Sequence, residues 1–309
     1  MTRPFINGAK SFEELLHHTR VYGEKRTSRT GIPTRSLFAP DPLRFDLAND
    51  FAALITSKAV PWKMALREYM WMLSGSTDTA DLRKTSPAMA SLWDLWATDG
   101  QIGPTYGAQY RNAGGSIILP DRNWDEFQIG RPQGQTGVDQ LRQSIIRLAE
   151  TPDTRRALIS LWSVPELQDM SLEPCMVLFQ FSRRGPNFEH LDLHIYQRSA
   201  DMMLGVPFDL FQGSILTNLV AREIRLTYGQ SLQPGHMTWS AGDVHIYEDQ
   251  LAAADIQLTQ WAKAEQMRAR IVVDPFPSLR LLDGTLEPGH ITITEYNPQP
   301  AIDAGKPAV

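Results

Sequence analysis

The segment from Phe211 to Tyr228 is the strongest constraint on how this chain can fold. It reads as one long helix whose apolar residues lie on several sides rather than along one stripe. A helix with that pattern needs cover all round, which places it at the centre of a core with the remaining elements around it. The chain has the material to do this: 309 residues, 42% of them hydrophobic and 21% charged, the profile of an ordinary globular protein. That length allows two average domains or one large α/β domain. No Pro/Ser-rich linker divides it, and neither an internal repeat nor a long low-complexity run is visible, so the expectation is one α+β domain over residues 1–309 with a mixed sheet.

Other segments fill in the plan. Residues 12–24 and 62–74 have helical spacing, the second a buried helix ending at Gly75; helical periodicity returns from Val138 to Leu148. Leu43–Leu47 and residues 156–163 read as strands. Residues 176–182 and 191–197 read as a strand pair joined by the polar turn Arg183–His190. Val244–Ala253 begins a further helix, and Arg268–Val273 forms a strand. Residues 114–137, rich in Gly, Pro, Gln and Asn, read as a surface insertion.

Formal charge is −5, so a basic footprint for duplex nucleic acid is absent overall. No apolar stretch is long enough for a transmembrane helix, and no apolar signal region follows Met1–Phe5; a reducing cytoplasm is the expected compartment. The one cysteine, Cys175, excludes an intramolecular disulfide framework and any multi-cysteine metal site. It is either an inert buried thiol or a nucleophile.

Several polar groups surround it in sequence. Arg155-Arg156 precedes a strand, Arg198 follows one in Gln197-Arg198-Ser199-Ala200-Asp201, and Arg29 lies in Ser28-Arg29-Thr30-Gly31. Guanidinium forks beside hydroxyl residues suit phosphate, although surface salt bridges explain each one singly. Such arginines could also depress the pKa of a nucleophilic Cys175. Asp209, ahead of the long helix, has a simple reading as its N-cap. His245 and Tyr247 share a face if their segment is extended; otherwise they are a pair of partly buried polar aromatics.

Together these pieces resemble the thymidylate synthase family. Pro174-Cys175, Gln197-Arg198-Ser199-x-Asp201, Leu204-Gly205-Val206-Pro207-Phe208 and Gly242-Asp243-x-His245-x-Tyr247 occur in the family's order, along with Arg29-Thr30-Gly31, Glu68 with Trp71, Leu92-Trp93-Asp94-x-Trp96-Ala97, Gly103-Pro104-x-Tyr106-Gly107, Asp153-x-Arg155-Arg156 and a terminal Ala308-Val309. The resemblance covers residues 12–309 apart from the 114–137 segment. It implies a mixed sheet packed with helices, with a sheet face forming a homodimer interface.

It also implies roles. Cys175 would add to C6 of a pyrimidine nucleotide 5′-monophosphate, so that C5 attacks a one-carbon unit carried by 5,10-methylenetetrahydrofolate, with Arg198 beside the thiolate. Arg29, Arg198 and Ser199 would grip the phosphate together with Arg155 and Arg156 of the neighbouring subunit. Glu68 and Tyr106 would move protons, Gln197 would contact the substrate, and His245 and Tyr247 would hold the sugar 3′-OH. Trp93, Trp96, Asp201, Gly205 and Phe208 match folate-pocket positions, and Val309 a closing tail.

One departure sets the expected branch. Synthases acting on dUMP have asparagine where this chain has Asp209, and usually histidine where it has Met176. A carboxyl group suits cytosine: one oxygen accepts from the 4-amino group and the other shares a proton with N3. The expectation is therefore a dCMP enzyme of the family, and retention of Ser199, Arg155 and Arg156 favours deoxyribose over ribose. The expected product is 5-methyl-dCMP, with 5-hydroxymethyl-dCMP as the alternative. Less favoured are a dUMP-specific synthase, a CMP hydroxymethylase and an inactive RNA-binding homologue. A bacteriophage modifying its cytosine in an infected bacterium is the expected setting; neither a membrane nor an obligatory nucleic acid is an expected partner.

Overall fold

The computed structural model describes residues 11–115 and 137–307. Its centre is the long helix, α7 (Gly205–Tyr228), in which almost every residue from Val206 to Ile224 is buried. The sheet that covers it has seven strands. β5 (Met176–Arg184) and β6 (His190–Asp201) form the expected antiparallel pair, and β4 (Leu158–Ser160) extends it at one edge. On the other side of β6 lies β7 (Gln233–Tyr247), joined to it in parallel, a pairing whose crossover is α7 itself. β2 (Thr34–Phe38), β3 (Leu43–Asp46) and β1 (Glu24–Arg26) complete the sheet in antiparallel register. A small second sheet pairs β8 (Arg270–Val273) with β9 (Ile291–Thr294). The fold is thus α+β with a mixed sheet.

The contact between α7 and the sheet is close because of Gly213. A Cβ there would lie 2.6 Å from both Ile195 Cδ1 of β6 and Met237 Sδ of β7. Side chains alternate along the strands, so Leu193, Ile195, Met237 and Trp239 face the helix while His194, Tyr196 and His236 are exposed on the opposite face.

The remaining helices pack around this centre. α1 (Phe12–Tyr22) has Ser11 as N-cap, its hydroxyl accepting from Glu14 N–H at 3.1 Å. α2 (Trp62–Ser74) is buried on most sides and ends at Gly75, whose φ of 88° is the left-handed conformation a helix C-terminus favours. α3 (Thr79–Thr85), α4 (Pro87–Trp93), α5 (Gly107–Arg111), α6 (Gln140–Glu150) and α8 (Leu251–Trp261) are the other α-helices among the described residues. The side chains of Tyr69 on α2 and Tyr110 on α5 are fully buried, with their hydroxyls 3.0 Å apart.

Two sequence expectations are corrected. Val244–Ala253 does not begin a helix: residues 244–247 finish β7, and the helix starts at Leu251. Asp243, His245 and Tyr247 alternate with the fully buried Val244 and Ile246, a period of two, so the strand buries its apolar side and the helix must wait. Arg198 lies inside β6 rather than after it, because β6 runs on to Asp201 alongside β7. Most of the 114–137 segment falls outside the described residues. At its base, Ala113 and Val138 exchange two backbone hydrogen bonds of 2.9 Å, so the chain leaves and returns at one point.

Candidate active site

A cavity of about 1050 Å³ opens at the junction of α2, α4, α7 and the converging ends of β6 and β7. Parallel pairing brings those ends together: Ser199, Ala200 and Asp201 lie opposite Asp243, Val244 and His245. Because side chains alternate, Ser199 and Asp201 share the cavity face with Asp243, His245 and Tyr247. Arg29, from the turn before β2, lines the same end.

Cys175 sits in the bend before β5. Its backbone N–H donates to the Tyr106 hydroxyl at 2.9 Å. Tyr106 holds φ at 33°, a left-handed value that costs a non-glycine residue on the order of 1–3 kcal/mol. Burial pushes the Cys175 thiol up; the Arg198 guanidinium pulls it down, the Asp209 charge pushes it up again, and the Tyr106 hydroxyl favours the thiolate. Arg198 also fixes the cysteine loop, donating from Nε to the Pro174 carbonyl (2.9 Å) and from Nη2 to the Glu173 carbonyl (2.7 Å), with its guanidinium 5.4 Å from the Trp162 ring centroid.

Glu68 is the acid on the apolar helix α2. Trp93 Nε1 donates to Oε1 at 2.7 Å and Gln212 Nε2 to Oε2 at 2.8 Å. Burial raises its carboxyl to about 7 despite both bonds. Asp209, one turn into α7, does not cap the helix. It receives Gln197 Nε2 on Oδ2 at 2.7 Å, and burial, aided by the charges of Glu68 and Asp201, pushes its carboxyl to about 7. The N-cap reading is therefore excluded: the N-cap position is Leu204, and Asp201 Oδ1 accepts from the N–H groups of Met203 (2.8 Å) and Leu204 (3.2 Å) at that end.

His245 is oriented by Asp243. Its Nδ1 lies 2.9 Å from Asp243 Oδ1, which leaves Nε2 for a ligand. Burial would raise the Asp243 carboxyl, but His245, Ser36 and Arg26 outweigh it and hold it low. The rings of His245 and Tyr247 meet edge to face, with centroids 5.2 Å apart.

The other end of the cavity is apolar. Trp93 and Trp96 meet edge to face at 5.8 Å, and Met89, Leu92, Leu172, Phe208 and Gly205 extend the wall, with Ile302–Pro307 of the C-terminal tail across it. A flat aromatic heterocycle suits such a slot. Two cations, Lys58 and Lys306, also line the cavity.

Of the residues singled out from sequence, all but three line this one cavity. Arg155 and Arg156 are exposed before β4 and form no part of it. Val309 lies outside the described residues. Sequence reading missed Lys58 and Gln212. Lys58 Nζ donates to the Met203 carbonyl at 2.5 Å, and burial lowers it to about 8, partly offset by Asp201. Its signal was a lone charge in the apolar run 51–60. The signal for Gln212 was a polar residue in the first turns of a helix whose neighbours there, Leu210, Phe211 and Ile215, are apolar.

The family model described as thymidylate synthase matches residues 10–308, nearly the whole chain. The chain belongs to the thymidylate synthase family. Its members are one-carbon transferases that carry a methyl or hydroxymethyl group to C5 of a pyrimidine nucleotide with methylenetetrahydrofolate, and they are typically obligate homodimers. The cavity combines a polar end built on two strands with an aromatic end that residues 302–307 of the tail also line. No helix among the described residues is long and apolar enough to cross a membrane.

Proposed function

We propose that this enzyme modifies dCMP at C5, with 5-methyl-dCMP as product. The observation that carries the reading is Asp209. It lines the cavity at the position that the family resemblance assigns to reading the pyrimidine edge, and burial raises its carboxyl to about 7, so that near neutral pH it offers both a proton and a lone pair. Cytosine presents the complement, an acceptor at N3 and a donor at the 4-amino group. Uracil, with N3–H and O4, mispairs with the same acid.

The other residues then take these roles. Arg29, Arg198 and Ser199 hold the 5′-phosphate, and the exposed Arg155 and Arg156 are donated by the neighbouring subunit, the exposed sheet face with His194 and Tyr196 being the dimer contact. His245 Nε2 and the Tyr247 hydroxyl take the 3′-OH. Cys175 adds to C6, which makes N3 more basic, so the proton shared with Asp209 is held most tightly as the reaction proceeds. A protonated Asp209 no longer repels the thiolate, since it is the Asp209 charge that pushes the Cys175 thiol up. Glu68, held by Trp93 and Gln212, exchanges protons through water with the 4-substituent, and Tyr106 serves the C5 proton.

When bound, 5,10-methylenetetrahydrofolate supplies the one-carbon unit and, for a methyl product, the hydride. Trp93, Trp96, Gly205 and Phe208 would hold its ring system and Lys58 its carboxylate end, with Asp201 bracing the start of α7. The two tryptophans and the tail at Ile302–Pro307 favour methylation, because reduction requires water to stay out. The test is to mix enzyme, dCMP and methylenetetrahydrofolate and to follow dihydrofolate absorbance and nucleotide mass. Dihydrofolate together with a one-methyl mass gain supports the reading. A hydroxymethyl gain without dihydrofolate replaces the product, and turnover of dUMP alone overturns the substrate.

A further inference from the structure

We propose that Trp239 is a positioning residue for base recognition: acting through Gln197, its indole N–H dictates which oxygen of Asp209 can carry a proton. Trp239, on β7, is almost fully buried, and its Nε1 donates to Gln197 Oε1 on the adjacent strand at 2.8 Å. On the other side of the same amide, Gln197 Nε2 donates to the Ser199 carbonyl at 2.9 Å. An indole N–H can only donate and a carbonyl can only accept. An amide has two possible orientations, but these two neighbours have no choice of role, so only one orientation satisfies both.

That orientation turns the Gln197 NH₂ group towards Asp209, 2.7 Å from Oδ2. An N–H at this distance needs a lone pair, so Oδ2 is an acceptor whether or not Asp209 is protonated. The carbonyl oxygen of a carboxylic acid accepts more strongly than its hydroxyl oxygen, so the short bond on Oδ2 favours the proton on Oδ1. The groups that face Asp209 are Glu68 and Tyr69 of α2, Tyr106 and Tyr110 of α5, Cys175, and Asp201 at the end of β6. None of them is a cation, and the side-chain hydrogen bond that Asp209 receives among the described residues is that of the Gln197 amide, on Oδ2. Asp209 therefore shows the pocket one fixed acceptor and one fixed proton-bearing oxygen. The consequence for the base, 4-amino group to Oδ2 and N3 to Oδ1–H, rests on the dCMP reading above; the location of the proton does not.

Trp239→Phe keeps a buried ring and removes the N–H. The readout is the pH at which Asp209 ionises, followed by infrared difference spectroscopy as the carboxylic-acid carbonyl band that Asp209→Asn abolishes. The midpoint is expected to rise by about one unit or more, because the amide is weakened as a donor or turns its oxygen to the carboxylate. A packing defect that admits water would instead lower the midpoint towards that of an ordinary aspartate, and a fall or no change overturns the proposal. Gln197→Met should raise the midpoint too and leave Trp239→Phe without further effect; additive shifts overturn the relay. A measurement on the unaltered enzyme covers a variant that fails to fold: the Trp239 indole N–H resonance should move with the Asp209 midpoint, and a resonance that stays flat refutes the link. If the relay behaves as expected while the enzyme turns over dUMP and not dCMP, the substrate reading fails and the proton location stands.

Discussion

Replacing Asp209 with asparagine should convert a cytosine reader into a uracil reader. The change is nearly isosteric, and the oxygen of the introduced amide can still accept from Gln197 Nε2, which now reaches Asp209 at 2.7 Å, so the helix and pocket should survive. What changes is the hydrogen-bond code at two positions, N3 and the 4-substituent. A buried donor or acceptor left facing the wrong partner costs about 1–3 kcal/mol. Two such mispairings amount to about 2–6 kcal/mol, which at about 1.4 kcal/mol per decade is a change of about 30-fold to 10⁴-fold in the ratio of kcat/KM for dCMP over dUMP. The assay is steady-state kinetics on both nucleotides for the two proteins, with a thermal melt to show that the variant is folded. A folded Asp209→Asn enzyme whose ratio stays within threefold of the parent refutes the reasoning, since residue 209 would then not touch the base edge.

Further predictions follow from the same geometry. Cys175→Ser and Arg155→Ala, each inactive alone, should recover about a quarter of the parental activity on mixing and subunit exchange, because one site per mixed dimer has both groups intact; no recovery would place Arg155 outside a shared site. Glu68→Gln should lower kcat by about 10²–10⁴-fold with nucleotide binding, measured by calorimetry, retained. Its melting temperature relative to the parent should rise between pH 5 and pH 8: the native Glu68 carboxyl is raised from 4.5 to about 7, so the folded state binds that proton more tightly and loses the advantage as pH climbs through this window. Arg111→Met should cost about 3–5 kcal/mol in a denaturant melt, because Arg111 pairs with the fully buried Asp139 at 2.9 Å and also donates to the Leu73 and Leu282 carbonyls.

How much of this was legible in the sequence depended on what kind of signal each element carried. α7 was visible because burial on all sides leaves apolar residues on several faces of one helix. α2 was visible because its run ends at a glycine in the conformation that stops a helix. β7 was largely invisible, although it is the longest strand, because Gly235, Ser240 and Gly242 interrupt its apolar alternation; neighbours on both sides, not local propensity, hold it extended. The short helices α3, α4 and α5 span too few turns to show periodicity. In the site, residues in compact motifs could be identified, whereas Gln212 and Lys58 could not, since what makes each of them polar and buried is a partner far away in sequence, Glu68 for one and the Met203 carbonyl for the other.

The parallel pairing of β6 with β7 has a consequence for how this enzyme can change. Ser199 and Asp201 lie opposite Asp243 and His245, so the residues proposed for the two ends of a nucleotide, phosphate and 3′-OH, stand on neighbouring strands a fixed hydrogen-bonded spacing apart. The sheet is a ruler, and its graduations are set by residue count. One residue added within β6 would turn its later side chains to the opposite face and carry the phosphate contacts out of the cavity, and one added within β7 would do the same to the sugar contacts. An added residue at the strand ends therefore has to be absorbed in a bulge, as one already is on β7 between Pro234 and Met237, whereas length added at the Ala113–Val138 junction leaves the sheet register untouched.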